Sequence, residues 1–205
     1  LDVAAARLAP YVTRKSISQI VWSHGKMGTT PGHESGLALS HALTRLAPDM
    51  DAATVTRTLY GYAKWGREAV VPEAWGALED AVARVACNMN SQELVNTLSA
   101  FTTVSPDAPP GEETWVELEV ATARVAPHMT SQGVANALNA YGNFARMPRD
   151  AAWAALEAAA LQNMPEMKPQ ELANTVWAYA ALEVDPGDAM WGMFEKAATR
   201  VAGEM

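Results

Sequence analysis
A motif of about 40 residues recurs along this chain, and no other feature of the sequence constrains its fold as tightly. Its anchors are Val12, Met50, Met89, Met129 and Met167, spaced 38, 39, 40 and 38 residues apart. Segments such as Met89-Asn-Ser-Gln-Glu-Leu-Val-Asn-Thr-Leu and Met129-Thr-Ser-Gln-Gly-Val-Ala-Asn-Ala-Leu align directly. A second landmark follows each anchor: Leu37, Trp75, Trp115, Trp153 and Trp191. A third is an Arg-Val/Leu-Ala turn at Arg7, Arg45, Arg84, Arg124 and Arg200, lost once at Leu161-Gln-Asn163. Three landmarks in common register define the tail of one repeat (1–11) and five full repeats: 12–49, 50–88, 89–128, 129–166 and 167–205. The chain opens inside the pattern at Leu1, so it reads as a processed product or a fragment.

Each repeat reads as two helices. Apolar residues recur at helical spacing, and no alternating pattern argues for strands. The first helix, A, is expected at about 13–28, 51–65, 90–104, 130–145 and 168–182. The second, B, is expected at about 33–47, 72–87, 112–126, 149–163 and 187–202. Asp51, Asn90 and Thr130 supply N-cap chemistry for helix A. Pro31, Pro72, Pro110, Pro148 and Pro186 precede or open helix B, where a ring that cannot continue the previous helix suits a first turn. One pair of this length buries too little surface to offset its ordering entropy, and stacked pairs share one core. The expected architecture is all-α: an α-solenoid of five helix-turn-helix repeats in a curved right-handed array.

Rotation by 100° per residue sorts helix A into faces. Three apolar columns point at helix B: Ile17/Val55/Leu94/Val134/Leu172, Val21/Leu59/Leu98/Leu138/Val176 and His24/Tyr62/Phe101/Tyr141/Tyr179. The tryptophan column is expected to join that core. Two flanking columns of small residues, Ser18/Thr56/Val95/Ala135/Ala173 and Ser23/Gly61/Ala100/Ala140/Ala178, let neighbouring A helices approach closely.

The remaining face is expected to touch neither helix B nor a neighbour. Its columns are Lys15/Ala53/Gln92/Gln132/Gln170, Gln19/Arg57/Asn96/Asn136/Asn174, Trp22/Tyr60/Ser99/Asn139/Trp177 and Lys26/Lys64/Thr103/Asn143/Ala181. None of these 20 positions is Asp or Glu, although the chain carries a net charge of −8. With their flanking turns, the A spans 12–28, 50–67, 89–104, 129–147 and 167–183 hold eight Lys/Arg against four Asp/Glu, and the rest of the chain seven against 19. A generic nucleic-acid binder is basic overall, but here the positive charge is segregated to one layer.

Amides and guanidinium groups pair with base edges, and aromatics stack on unpaired bases. Repeat arrays can present one such site per repeat. These properties predict a concave surface for single-stranded RNA or a ribosomal RNA segment. The residues expected to carry it are Lys15, Gln19, Trp22, Lys26, Arg57, Tyr60, Lys64, Gln92, Asn96, Ser99, Gln132, Asn136, Asn139, Asn143, Gln170, Asn174 and Trp177. Alternatively, Asn96, Asn136 and Asn174 cap backbone groups or bond to one another between repeats. The acidic B face suggests protein partners and a second reading of the whole chain, as a scaffold subunit of a large assembly.

The segment Glu171-Leu-Ala-Asn-Thr-Val-Trp-Ala-Tyr-Ala-Ala-Leu182, followed by Pro and Trp at the opening of the next helix, resembles the octotricopeptide repeat family. The resemblance covers residues 12–205 and is most specific in the last repeat. Val71-Pro-Glu-Ala-Trp75 keeps part of that family's Pro-Pro-Pro-Glu-Trp motif. It implies an α-solenoid that binds RNA in an organelle, chloroplast or mitochondrion, and acts in transcript stability, splicing, translation or the organelle ribosome.

Chemistry of other kinds finds no support in the residues. Gly25-Lys-Met-Gly28 imitates a phosphate loop, but Ile20 stands where the leading glycine belongs and Met27 where the hydroxyl belongs. His24, His33, His41 and His128 lack metal-ligand spacing. The single Cys87 excludes an internal disulfide and reads as a buried thiol beside the small column of Ala47 and Ala126. No nucleophile–base arrangement is visible, so neither catalysis nor a cofactor is expected, and no apolar run is long enough for membrane insertion.

Overall fold
The computed structural model describes residues 8–66, 69, 71–104 and 109–203. They form ten α-helices and, among the described residues, no strand. The helices are α1 (Arg14–Met27), α2 (His33–Leu46), α3 (Ala52–Ala63), α4 (Pro72–Val85), α5 (Ser91–Val104), α6 (Glu112–Val125), α7 (Ser131–Asn143), α8 (Asp150–Asn163), α9 (Pro169–Ala181) and α10 (Gly187–Gly203). Odd-numbered helices are the A helices and even-numbered ones the B helices. The expected all-α helical repeat is the fold observed, with boundaries displaced by one or two residues at most ends. Short 3₁₀ turns at Ala47–Asp49, Ala86–Asn88, Ala126–His128 and Met164–Glu166 separate successive repeats.

The expected caps are in place. Thr54 N–H donates to Asp51 Oδ1 (2.8 Å), Glu93 N–H to Asn90 Oδ1 (2.9 Å) and Gly133 N–H to Thr130 Oγ1 (3.2 Å). Thr13 does the same for α1. The turn from A to B also follows a fixed register. The residue 16 places after the anchor is left-handed: Gly28 (φ 64°), Gly66 (φ 86°), Ala145 (φ 46°) and Glu183 (φ 55°). Only glycine adopts this conformation freely.

Backbone packing divides the chain into two compact units, Leu1–Met89 with Ala100–Leu118, and Asn90–Ser99 with Glu119–Met205. In the first, α1 and α3 touch backbone to backbone. A Cβ on Gly61 would lie 2.6 Å from Trp22 Cα, and one on Gly25 would lie 2.7 Å from the Gly61 carbonyl oxygen. Ile17, Val21, Val55 and Leu59 are fully buried there, as are Leu39, Leu43 and Leu78 of the B helices. Tyr62 anchors the loop ahead of α4, bonding Ser40 Oγ (2.8 Å) and accepting from Val71 N–H (2.9 Å). In the second unit α7 and α9 pack closely, with Ala178 Cα 3.3 Å from a Cβ built on Gly142. Tyr141 is buried and bonds Thr122 Oγ1 (2.9 Å). Trp153, Tyr179 and Phe194 form an edge-to-face series with centroids 5.1 and 5.6 Å apart.

The arginine landmark is a clamp. Arg84 donates to the carbonyls of Ala47 (3.2 Å) and Met50 (2.7 Å), tying the end of its B helix to the start of its own A helix. Arg200 reaches the Met167 carbonyl and Arg45 that of Ala9 (3.5 Å). Where the arginine is lost, Asn163 reaches the matching Met129 carbonyl at 3.5 Å. The arginine clamp gives its turn carbonyls a charged donor.

Three expectations about burial are corrected. The tryptophan column is not uniformly core: Trp115 is 1% exposed, Trp75 and Trp153 are half-buried, and Trp191 is 48% exposed. These residues sit in the first turns of their B helices, at the rim of the core. His24 is likewise half-exposed, its Nδ1 bonded to Thr29 Oγ1 (3.1 Å) at the end of α1. Cys87 is exposed. The column of Ala47 and Ala126 continues through Ala86, and all three are fully buried, so Cys87 falls one place later, in register with Pro48 and Pro127.

Candidate nucleic-acid interface
Burial of the apolar columns sets the rotation of each A helix and so decides where its polar columns point. All 20 positions of the acid-free face are exposed or half-exposed, and none is buried. On α1, Lys15, Gln19 and Lys26 are exposed and Trp22 is half-buried; on α3, Arg57 and Lys64 are exposed and Tyr60 is half-buried. Lys64 Nζ lies 5.4 Å from the Tyr60 ring centroid, a cation–π contact that holds the ring at the surface. On α5, α7 and α9, Gln92, Gln132, Gln170, Asn143 and Trp177 are exposed, while Asn96, Ser99, Asn136, Asn139 and Asn174 are half-exposed.

The third column does meet neighbours, contrary to expectation. The Trp177 ring approaches Gly142 of α7 so closely that a Cβ there would lie 2.8 Å from Cζ3, yet 45% of Trp177 stays exposed. Close packing of the A helices brings this column to the seam between them.

The amides bond along their own helices. Gln92 Nε2 donates to Asn96 Oδ1 (2.9 Å), Gln170 Nε2 to Asn174 Oδ1 (2.8 Å) and Asn143 Nδ2 to the Asn139 carbonyl (2.7 Å). Among the described residues no hydrogen bond joins Asn96, Asn136 and Asn174 to one another, which removes the proposed inter-repeat ladder. Each Gln–Asn pair keeps one donor group and one acceptor oxygen turned to other partners.

Two clefts occupy the same register in the two units. In the first, a cleft of about 440 Å³ lies where α1 and α3 begin, lined by Arg14, Lys15, Ala53 and Arg57 together with Thr13, Asp49, Met50, Asp51 and Thr54. Arg14 donates to the Asp49 carbonyl. Hydrogen bonds from Thr54 hold the Asp51 carboxyl below its ordinary 3.8, with Arg14 and Arg57 adding to the effect. That carboxylate is committed to its cap, and Lys15 and Arg57 remain as exposed cations. In the second unit the cleft is smaller, about 180 Å³, and lies between the starts of α5 and α7. Its lining includes Gln92, Asn96, Gln132 and Asn136 and no charged residue.

Two other features were invisible in the sequence pattern. Arg146, counted above with the cations of the A layer, is bonded to the buried Glu119 (2.9 Å), with Arg149 Nε 3.3 Å from the other carboxylate oxygen outside hydrogen-bond geometry. It neutralises a core carboxylate and adds nothing to the polar face. On the B side of the first unit, Glu79, Asp80, Glu112, Glu113 and Glu117 line an open cleft of about 720 Å³ with Arg84, and Glu79 accepts from Gly111 N–H. Both pairings join residues about 30 apart in sequence, so no local pattern signals them. Arg67, the remaining cation of the second A span, lies outside the described residues. Among the described residues no helix is long and apolar enough to cross a membrane.

A search of protein-family models finds none that matches this chain, and no curated protein matches it.

Proposed function
We propose that the A-helix faces bind single-stranded RNA without catalysing a reaction. The reading rests on one observation: 20 outward positions on five helices contain no carboxylate, and none is buried, in a chain with 23 Asp and Glu. A surface kept only for solubility has no reason to exclude acids, whereas a polyanion does. Lys15, Lys26, Arg57 and Lys64 supply attraction to phosphate, the Gln and Asn columns supply base-edge partners, and Trp22, Tyr60 and Trp177 supply stacking surfaces. By the family resemblance, the setting is an organelle transcript or ribosome.

A labelled single strand and its duplex, titrated against the folded chain, test the proposal. The single strand is expected to bind more tightly, because stacking and base-edge contacts need unpaired bases. Arg57→Glu and Asn136→Ala are expected to weaken binding without changing helix content. Equal affinity for both forms, or binding of neither, contradicts the proposal. The acidic cleft of the first unit supports the second reading, a protein scaffold, and a protein partner retained after nuclease treatment would favour it.

A further inference from the structure
The position four residues after each anchor is Ser16, Thr54, Glu93, Gly133 and Glu171. In α5 Glu93 completes a capping box with Asn90, accepting from Asn90 N–H at 2.9 Å, and in α9 Glu171 supplies the return half alone, accepting from Lys168 N–H at 2.9 Å. Glu171 is 8% exposed, its side chain filling space beside its helix start. Position 133 of α7 faces α5, and glycine there leaves the neutral cleft open.

A glutamate would suit position 133 by every local criterion. Thr130 already caps α7, and Thr-x-x-Glu is the reciprocal box. A Cβ at 133 would meet Met129 Cβ at 3.4 Å and Thr130 Oγ1 at 3.5 Å, ordinary contacts. Glycine in the first turn of α7 gives up helix propensity that almost any other residue would supply. The chain thus forgoes both propensity and a cap where a carboxylate would stand beside Gln92, Asn96, Gln132 and Asn136.

The cleft walls specify an occupant. The Gln92–Asn96 bond orients both amides, leaving Asn96 Nδ2 as donor and Gln92 Oε1 as acceptor. No cation is present for a phosphate. An aliphatic group would strand the amides unpaired. A heterocycle edge carrying adjacent donor and acceptor satisfies them. At about 180 Å³ the cleft is smaller than a typical pocket of ~300–1,000 Å³, so it takes a ring system and leaves the sugar and phosphate outside.

We infer that the α5–α7 cleft is a single-base subsite and that Gly133 is the specificity-determining residue that keeps it open and uncharged. The inference rests on the RNA reading above. Its test compares oligo-A, oligo-U and oligo-C single strands on wild type, Gly133→Glu and Gly133→Ala, with thermal unfolding of each. Wild type is expected to bind the three with at least about a fivefold spread in Kd, the lower end of one bidentate contact. Gly133→Glu is expected to raise Tm, weaken the preferred strand about tenfold and narrow the spread, while Gly133→Ala keeps the preference. If Gly133→Glu fails to fold, Asn136→Leu, nearly isosteric and at a half-exposed position, is expected to give the same narrowing. Wild type binding all three equally, or Gly133→Glu binding as wild type does, overturns the subsite while leaving RNA binding standing. No binding of any strand by the folded wild type overturns the RNA reading and the subsite with it.

Discussion
Unit 1 and unit 2 run the same columns along their A helices and fill them with different chemistry. The first carries Lys15, Lys26, Arg57 and Lys64 with Trp22 and Tyr60. The second carries Gln92, Asn96, Gln132, Asn136, Asn139, Asn143, Gln170 and Asn174 with Trp177, and no cation. The apolar columns barely change between them. The repeat backbone is therefore indifferent to what its open face presents, and selection on that face is free to vary attraction in one unit and hydrogen bonding in the other. The units also differ in their scaffolding: glycines at the left-handed turns of the first, Ala145 and Glu183 at those of the second.

The largest expected effect separates the two ends of the tryptophan column. Trp115→Ala in unit 1 is expected to cost about 3–5 kcal/mol in urea unfolding, because the indole is fully buried. Trp191→Ala in unit 2 is expected to cost under ~1 kcal/mol, in line with its exposure. Equal costs would break the rim description of this column.

Next comes the division of binding chemistry. Replacing Lys15, Arg57 and Lys64 together by Glu is expected to lower RNA affinity roughly 100-fold or more in low salt. Gln132→Ala with Asn136→Ala is expected to lower it about tenfold and to leave the salt dependence unchanged. Anisotropy titrations read both, and the reverse ranking would erase the distinction between the units.

The clamp offers a smaller test. Arg84→Ala is expected to lose about 1 kcal/mol of stability, and Asn163→Ala somewhat less, because Arg84 holds two turn carbonyls and Asn163 reaches its turn carbonyl only at 3.5 Å. Smallest are the turns: Ala145→Gly and Glu183→Gly are each expected to stabilise by about 0.5–1 kcal/mol, and Gly66→Ala to destabilise by a similar amount. Shifts in the urea midpoint check all five substitutions.

Much of this was readable from the period alone. Proline before each B helix and Asp51, Asn90 and Thr130 before A helices placed helix ends within a residue or two, because those residues act on their immediate neighbours. The outward phase of Asn96 and Arg57 was legible for the same reason. Cys87 was misplaced because a single step of register separates the buried Ala86 from the exposed residue after it. Trp191 was misplaced because it sits in the first turn of its helix, at the rim of the core, where helical phase alone does not decide burial. The pairing of Arg146 with Glu119 and the clamp by Arg84 join distant segments, and neither could be read from spacing. Gly133 stood in plain view as a departure from Glu93 and Glu171, but its meaning needed the cleft.

The central claim, that a face without acids on the A helices binds a nucleic-acid strand, is tested most directly by the salt dependence of single-stranded RNA binding to the intact folded chain. Two or three phosphate contacts predict a log–log slope of about −1.4 to −2.1, falling toward zero when Lys15, Arg57 and Lys64 become Glu. A folded chain that leaves the strand free even at low ionic strength would contradict the account.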